Sequence, residues 1–418
     1  MFFKLLHYQM NEYEIFGRWC INNGTRLSEI SLETYKNNER GVHSRNGIRK
    51  GKTLIEVPEK LLITDKMGEE SEYGLIFKKH LKHFRNHKII YVMLYILQTN
   101  KEELFFTPYY NILPKNVDNF PIFWDKEDII LLSGSNAVNE IITRQKSILK
   151  DYEKLCEIIP GFKDKHTIDE FIWVRTVVGS RNFGITIDNV HRVALVPLSD
   201  FLNHDKDPDV TWGFNPKSRS FKMVSNRYLK KGKPITDTYG NKSNLKYLLF
   251  YGFTLQDNLE NDVIYVNIVH GKNNLDEKNY IKKNVEGYLT SDVNSSVFHD
   301  ILLFLRVSIS NLDILQNNKK ISYYQEPISI DNEKLTIKAF TIYLNTKLKN
   351  YKYFNENSKN EYEKFSKRWN CYNLIMGEIK IIKFYLNFLN DVKLILNGNK
   401  KLLDKKDCIY YKMLKNII

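Results

Sequence analysis

The spacing of apolar residues divides the chain into β-rich and helical stretches. From about Glu12 to Thr64, short apolar runs alternate with turn signals, which is typical of strands. From 66 to 172, segments such as AVNEIITRQKSILKDYEKLCEII place apolar residues three and four positions apart and so predict amphipathic helices. Short β-rich segments such as VALVPLSDFL and PITDTYG return up to about Val269, and helical spacing resumes after them.

This order predicts an α+β fold in which one β-rich domain is split by a helical insertion. The predicted parts are β-rich segments at 12–65 and 173–269, a helical insertion at 66–172, and an all-α domain at 285–418. Within the first segment, Gly47 and Gly51 are predicted to form the turn of a hairpin. The polar stretch KYFNENSKNEYEKFSK is either a loop or a long solvated helix.

Composition indicates a folded protein of more than one domain and limits the class of partner. The chain has 418 residues, of which 42% are hydrophobic, and a net charge of +14. Such a charge suits an acidic partner, but the lysines are spread along the whole chain without an Arg-rich stripe. We therefore interpret the charge as biased composition and do not predict nucleic-acid binding.

The cysteines and the apolar runs bear on the compartment. The four cysteines, Cys20, Cys156, Cys371 and Cys408, are far apart and form no CxxC pair, which indicates a reducing compartment and no structural zinc. The opening MFFKLLHYQM lacks a basic n-region, and there is no run of 18 apolar residues. We expect a cytoplasmic or nuclear protein that does not bind membranes and is a monomer.

Two clusters imitate metal sites. His80, His83 and His87 would share one helical face, but lysines and Arg85 surround them, so we interpret them as a solvated basic face. In DFLNHDKDPD, the spacing of Asp205, Asp207 and Asp209 imitates a calcium loop. Its turn glycine and bidentate glutamate are replaced by Val210 and Pro216. We predict no metal at either place.

Several motifs together resemble those of the SET-domain protein methyltransferases. They are LVPLSDFLNHD (195–205), ITDTYGNKSNLKYLLFYGF (235–253), SRNF (180–183), the first-strand segment at 40–64 and TPYYNILPKNVDNFPIFWDKEDIILLSGS (107–135). The subgroup that they resemble most is the Rubisco large-subunit lysine methyltransferase, and the likeness covers nearly the whole chain. It implies a helical, substrate-binding-like C-terminal domain and an S-adenosylmethionine-dependent protein methyltransferase.

The resemblance also implies residue roles. Tyr239 takes the catalytic position, where its phenol orients the attacking amine. The predicted cofactor-binding residues are Asn38, Glu39, Arg40, Arg181, Asn203, His204 and Tyr239. The predicted substrate-binding residues are Arg181, Phe183, Asp200, Tyr239 and Tyr251. An arginine beside the cofactor carboxylate is chemically reasonable, because a guanidinium pairs well with a carboxylate.

The residue that accepts the methyl group is open between lysine and histidine. In a related histidine-methylating branch, the positions of Phe183 and Ser199 look like Asn and Trp, which suit an imidazole. The apolar Phe183 favours lysine. The scattered cysteines cannot form the zinc cluster of many histone-directed SET enzymes, which favours a non-histone protein substrate. The remaining alternative is a non-catalytic SET scaffold that binds a protein partner.

Overall fold

The computed structural model describes residues 11–34, 40–100, 105–355, 357–358, 361–404 and 408–418. Its helices are α1 (Glu12–Asn22), α2 (Asp65–Glu70), α3 (Glu72–Phe77), α4 (His87–Thr99), α5 (Thr107–Asn111), α6 (Lys126–Ile130), α7 (Ala137–Ile158), α8 (Phe162–Lys165), α9 (Ile168–Arg181), α10 (Asn244–Tyr251), α11 (Leu275–Ile281), α12 (Ser296–Ile309), α13 (Leu312–Asn317), α14 (Ile330–Lys349), α15 (Lys367–Leu396) and α16 (Ile409–Leu414). Its strands are β1 (Arg26–Leu27), β2 (Ile30–Thr34), β3 (Arg40–Ser44), β4 (Thr53–Pro58), β5 (Ile63–Thr64), β6 (Asn182–Ile187), β7 (Val190–Leu195), β8 (Asn203–His204), β9 (Val210–Asn215), β10 (Ser220–Ser225), β11 (Pro234–Asp237), β12 (Ile264–Val269) and β13 (Asn284–Leu289). The predicted α+β class is confirmed.

The contacts between residues divide the chain into two compact units. The first comprises Met1–Asp118 and Arg144–Asn241, and the second comprises Asn119–Thr143 and Lys242–Ile418. The second unit thus takes in part of the predicted helical insertion together with the C-terminal helices. The domain boundaries expected from the sequence stay predictions.

Three small sheets form the β-rich part of the first unit. Their strand orders are β1-β4-β10-β9, β2-β3-β11-β8 and β5-β7-β6. Each sheet combines strands from the two β-rich sequence segments; for example, β3 pairs with both β2 and β11. The helical segment α2 to α9 lies between them in sequence, so the β-rich domain is split as predicted.

Helix α9 leads directly into the second β-rich segment of the sequence. Thr167 caps its N-terminus by accepting a hydrogen bond from the Glu170 amide, and Asp169 and Glu170 place negative charge in the first turn. The helix continues beyond the expected boundary at 172 and ends at Arg181, so the strands resume at Asn182. Arg181 therefore stands where helix becomes strand.

The hairpin predicted between β3 and β4 is wrong. Both strands exist, but β3 pairs with β2 and β11, whereas β4 pairs with β1 and β10. Gly51 has φ +80° and donates its amide hydrogen to the Ser225 carbonyl. The glycine serves a turn, as its left-handed backbone requires, but this turn leads the chain from one sheet into another.

The prediction that three histidines share one helical face is also wrong. Helix α3 ends at Phe77, a 3₁₀ segment covers Lys78–His83, and Phe84 is extended before α4 begins. His87 Nε2 lies 2.6 Å from the backbone oxygens of Leu81 and Phe84. Within the described ranges, no group of three His, Cys, Asp or Glu residues is arranged to hold a metal ion.

The second unit is mainly helical, and α12, α14 and α15 carry its core. Their buried side chains include Phe298, Phe340 and Tyr385. Strand β13 was not expected from the helical spacing. It pairs antiparallel with β12 across six residues of each strand. The polar stretch after α14 is irregular over the part that the structure describes. Among the described helices, none is long and apolar enough to cross a membrane.

Candidate functional site

The Asn-His motif and the strand before Tyr239 are neighbours in the first unit. Strands β8 and β11 pair in parallel, with Asn203 opposite Thr236 and His204 opposite Asp237. The chain then leaves β11, so that Tyr239 follows two residues beyond the strand. Two motifs about 35 positions apart in sequence therefore meet at one sheet edge.

Tyr239 is held against this motif at three points. Its backbone amide donates a hydrogen bond to His204 Nδ1 at 3.1 Å, and the two rings stack with centroids 5.2 Å apart. Its hydroxyl donates to the Leu202 carbonyl oxygen at 2.8 Å. Gly240 follows with φ +85°, which lets the chain turn away directly after the tyrosine. The phenol is thus fixed in orientation.

An ion pair with a buried carboxylate lies just before the same motif in sequence. Arg181 Nη1 donates to the Asp200 backbone oxygen at 2.7 Å and to its carboxylate Oδ2 at 3.3 Å. The Asp200 side chain is fully buried, and that of Arg181 is 20% exposed. Burial raises the pKa of Asp200, although Arg181 and a hydrogen bond from Tyr109 oppose that shift. The predicted residues Arg181 and Asp200 are therefore direct partners.

A third residue joins this ion pair and was not predicted from the sequence. Tyr109, at the middle of α5, donates its hydroxyl to Asp200 Oδ2 at 2.9 Å and is fully buried. Burial, followed by the negative charge of Asp200, raises the pKa of Tyr109 well above its ordinary value. The TPYY motif carried Tyr109, but one tyrosine among 26 gave no signal for this role.

Arg40 and Asn203 are also brought together. Asn203 Nδ2 donates to the Arg40 backbone oxygen at 2.9 Å. The Arg40 guanidinium lies 4.5 Å from the centroid of the Phe201 ring, and it donates to the Ile112 carbonyl oxygen. Burial and then the nearby Arg181 lower the pKa of Arg40. Two other predicted cofactor residues, Asn38 and Glu39, lie outside the described residues.

Phe183 lies in an aromatic cluster of the strands. Its ring meets those of Trp212 and Phe221 edge-on, each with centroids 5.1 Å away, and the residue is 8% exposed. Trp212 also lines an open cleft of about 540 Å³ along β9 and β10. Ser199, the other position relevant to residue choice, is 1% exposed, and its hydroxyl has no hydrogen-bond partner in the described part of the chain.

Tyr251 ends helix α10 in the second unit. Its ring packs near those of Tyr247 and Phe253, and Lys242 Nζ lies 5.6 Å from its centroid. Burial raises the pKa of Tyr251. Its role in lining a substrate channel stays a prediction.

The acidic turn after His204 is bound to an arginine of the same unit. Arg227 pairs with Asp207 at 2.7 Å and with Asp209 at 3.3 Å. Asp209 also accepts hydrogen bonds from the amide and the hydroxyl of Thr236, and Asp205 Oδ1 accepts from the Asp207 amide. These aspartates therefore brace the turn beside β11, while the Asp207 side chain stays 83% exposed.

This geometry agrees with the comparisons with known proteins. Residues 39–240 match the family model of the SET domain. The fold is also that of solved SET-domain structures. "Structure of Rubisco LSMT bound to AdoMet" superposes with a TM-score of 0.73 at 18% identity, covering 98% of this chain and 100% of the other. "Crystal structure of the SET domain of LSMT bound to Lysine and AdoHcy" gives a TM-score of 0.74 at 18% identity, covering 97% and 95%. The chain therefore has the fold of these SET-domain structures, and residues 39–240 match the SET-domain family model.

The proteins that are similar to this chain in sequence have a different name from the enzyme in these structures. The actin-histidine N-methyltransferase of Xenopus tropicalis is 25% identical over 321 residues, which are 72% of this chain and 54% of that protein. The actin-histidine N-methyltransferase of Homo sapiens is 23% identical over 253 residues, covering 58% and 42%. The chain thus spans about half the length of these relatives.

Proposed function

We propose that this protein is an S-adenosylmethionine-dependent protein methyltransferase that acts on a lysine side chain. The observation that carries the proposal is the fixed orientation of Tyr239. Its hydroxyl hydrogen is used in the bond to the Leu202 carbonyl. The phenol oxygen can therefore only accept hydrogen bonds from other groups. An acceptor is what an incoming amine N–H or a polarised methyl C–H needs at this position.

The residues around the Asn-His motif suit the proposed cofactor. The Arg181 Nε atom is buried and has no hydrogen-bond partner among the described residues. A ligand carboxylate would supply an acceptor for this charged donor. Arg181, Asn203, His204 and Tyr239 would hold the cofactor, and S-adenosylmethionine supplies an electrophilic methyl group when bound.

The protein's own residues would position the reactants and exclude water from the reacting atoms. A lysine amine must be neutral to attack, and its ordinary pKa is about 10.4. Entry into an apolar channel disfavours the ammonium form, so desolvation itself promotes loss of the proton. We assign no general base.

Phe183 and Ser199 support lysine over histidine. The Phe183 ring packs edge-on against Trp212 and Phe221 and offers no hydrogen-bonding group to an imidazole. Ser199 is a small residue at the position where the histidine-directed branch has a bulky wall. Histidine is the second candidate, because the relatives in sequence are named actin-histidine methyltransferases.

The test is transfer of an isotopically labelled methyl group from S-adenosylmethionine into a proteome extract, followed by mass spectrometry of the modified residue. We expect label on lysine. Label on histidine would replace the lysine assignment and keep the methyltransferase. A protein that binds the cofactor but labels nothing would instead support the non-catalytic scaffold.

A further inference from the structure

Two lysine-rich loops of the first unit lie side by side. We call residues 45–52 and 228–233 the paired basic loops. They contain the similar segments IRKGK and LKKGK, and neither loop contains an acidic residue. Ile48 and Leu229 exchange two backbone hydrogen bonds of 2.9 Å across an antiparallel bridge, so the two loops are joined at this point and run in opposite directions from it. Seven of the chain's basic residues are thereby brought onto two adjoining loops.

The scaffold of this surface is ordered by further hydrogen bonds. Ser44 holds the second loop, since its amide donates to the Lys233 carbonyl and its carbonyl accepts from the Gly232 amide. Ser225 holds the first loop, because its hydroxyl donates to the Arg49 carbonyl at 2.7 Å and its amide donates to the Lys52 carbonyl at 3.0 Å. The backbone is therefore fixed while the charged side chains extend into solvent.

The cations of the paired basic loops lack ion-pair partners. All seven are exposed, and none has an ion pair with any residue that the structure describes: Arg45, Arg49, Lys50, Lys52, Lys230, Lys231 and Lys233. Arg227, directly before the second loop, is by contrast paired with Asp207 and Asp209. Glu29 contacts the first loop through its backbone oxygen, which accepts a hydrogen bond from the Arg45 amide.

We propose that the paired basic loops dock an acidic segment of the protein substrate. This inference rests on the proposed function and adds a substrate class to it, namely proteins with a run of Asp and Glu residues away from the methylated side chain. Seven unpaired cations on a rigid surface favour encounter with such a segment and orient it before the amine reaches the site.

The scarcity of exposed aromatic side chains on these loops favours a protein segment over a single-stranded nucleic acid. A single-stranded nucleic acid binds along a basic groove with several aromatic side chains on which its bases stack. The exposed aromatic of these loops is Tyr228, which is 60% exposed, and its hydroxyl lies over Gly47. One ring that lies against the neighbouring loop is not a series of stacking platforms.

The test compares charge reversal on the loops with matched charge reversal elsewhere in the same unit. The loop variant carries Lys50→Glu, Lys52→Glu and Lys231→Glu. The control carries Lys79→Glu, Lys146→Glu and Lys163→Glu, three exposed lysines outside the loops. Binding of a fluorescent oligoglutamate peptide to the full chain is followed by fluorescence anisotropy at several salt concentrations.

We expect the loop variant to bind the peptide about tenfold more weakly than the wild type and to show a smaller salt dependence, whereas the control stays close to the wild type. Equal losses in both variants would mean that only net charge matters, and this would overturn the proposal. Loop-dependent binding of an oligonucleotide or of phosphatidylserine vesicles, without peptide binding, would overturn it too.

Folding of each variant is checked by thermal unfolding. If the charge-reversed loops fail to fold, glutamine at the same three positions removes the charge without reversing it, and we expect the same order of affinities. Because the assay measures binding without methyl transfer, failure here leaves the proposed activity untouched, and an inactive enzyme that binds the peptide leaves the docking surface standing.

Discussion

The backbone amide of Tyr239 donates to His204 Nδ1 at 3.1 Å while the two rings stack. The predicted catalytic residue is therefore positioned by the predicted cofactor motif itself. Both the Nδ1 acceptor and the flat ring of His204 therefore hold Tyr239 in its position.

Substitution of His204 separates these two contributions. Asparagine keeps an acceptor at the δ position, whereas leucine removes it and leaves the Tyr239 amide unpaired, at a cost of about 1–3 kcal/mol. We expect His204→Leu to lose about 100-fold in methyl transfer and His204→Asn to lose about tenfold. Initial rates of labelled methyl transfer check this. Equal losses in the two variants would argue against the hydrogen bond.

Arg181 is predicted to bind the cofactor carboxylate, and the chain offers a matched arginine for comparison. Arg192 pairs with Asp65 at 3.4 Å and is 20% exposed, as Arg181 is with Asp200 at 3.3 Å. Lysine lacks the planar fork of arginine. We expect Arg181→Lys to raise the KM for S-adenosylmethionine about tenfold and Arg192→Lys to leave it unchanged. A similar KM in the two variants would remove Arg181 from the cofactor site.

Asp237 should make stability depend on pH. Burial raises its pKa from 3.8 to about 6, and its Oδ1 has no hydrogen-bond partner in the described ranges. The folded protein therefore binds more protons than the unfolded chain between these values, and its contribution to stability falls as the pH rises from 3.8 to about 6.

We expect Asp237→Asn to remove this contribution, so that the variant gains about 2–3 kcal/mol on the wild type between pH 4 and pH 7. Urea unfolding at the two pH values measures the difference. An identical pH dependence in wild type and variant would show that the Asp237 carboxyl titrates normally.

The second unit contains a buried ion pair whose loss should be costly. Arg306 donates to both carboxylate oxygens of Glu333 at 2.8 and 2.7 Å, and Tyr410 donates to the same carboxylate. The two charged side chains are 1% and 0% exposed. We expect Glu333→Ala to lower the free energy of unfolding by about 3–5 kcal/mol, because it leaves a buried unpaired cation.

Two further variants control for this interpretation. The double substitution Arg306→Met with Glu333→Leu removes both charges and should recover most of the lost stability. Glu70→Ala breaks an exposed pair with Lys66 and should cost less than about 1 kcal/mol. A Glu333→Ala variant as stable as Glu70→Ala would contradict the account.

The sequence predicted the order and class of most elements, because helical and strand spacing are local properties. Helices α7, α12, α14 and α15 lie where apolar residues recur at helical spacing. Strand pairing was not predictable in this way, since β3 and β4 are adjacent in sequence and belong to different sheets. Strand β13 was missed within a stretch expected to be helical. It pairs with β12, and strand formation depends more on such contacts with a neighbouring strand than on the local sequence.

The candidate site shows the same limit. Asn203, His204 and Tyr239 could be chosen because short motifs carry them. Neither the bond from Tyr109 to Asp200 nor the pairing of Arg227 with Asp207 could be chosen, since each joins positions that are far apart or not marked by a motif. A buried polar network is recognised only when its partners are seen together.

The most direct test of the central claim is the methyl-transfer rate of Tyr239→Phe beside Tyr152→Phe. Both tyrosines donate a hydrogen bond of 2.8 Å to a backbone carbonyl, Tyr239 to Leu202 and Tyr152 to His166, so the two variants lose the same kind of bond. We predict that Tyr239→Phe loses about 100-fold or more in the rate while S-adenosylhomocysteine still raises its melting temperature, and that Tyr152→Phe keeps the wild-type rate. A Tyr239→Phe variant that transfers methyl groups as fast as Tyr152→Phe would contradict the account.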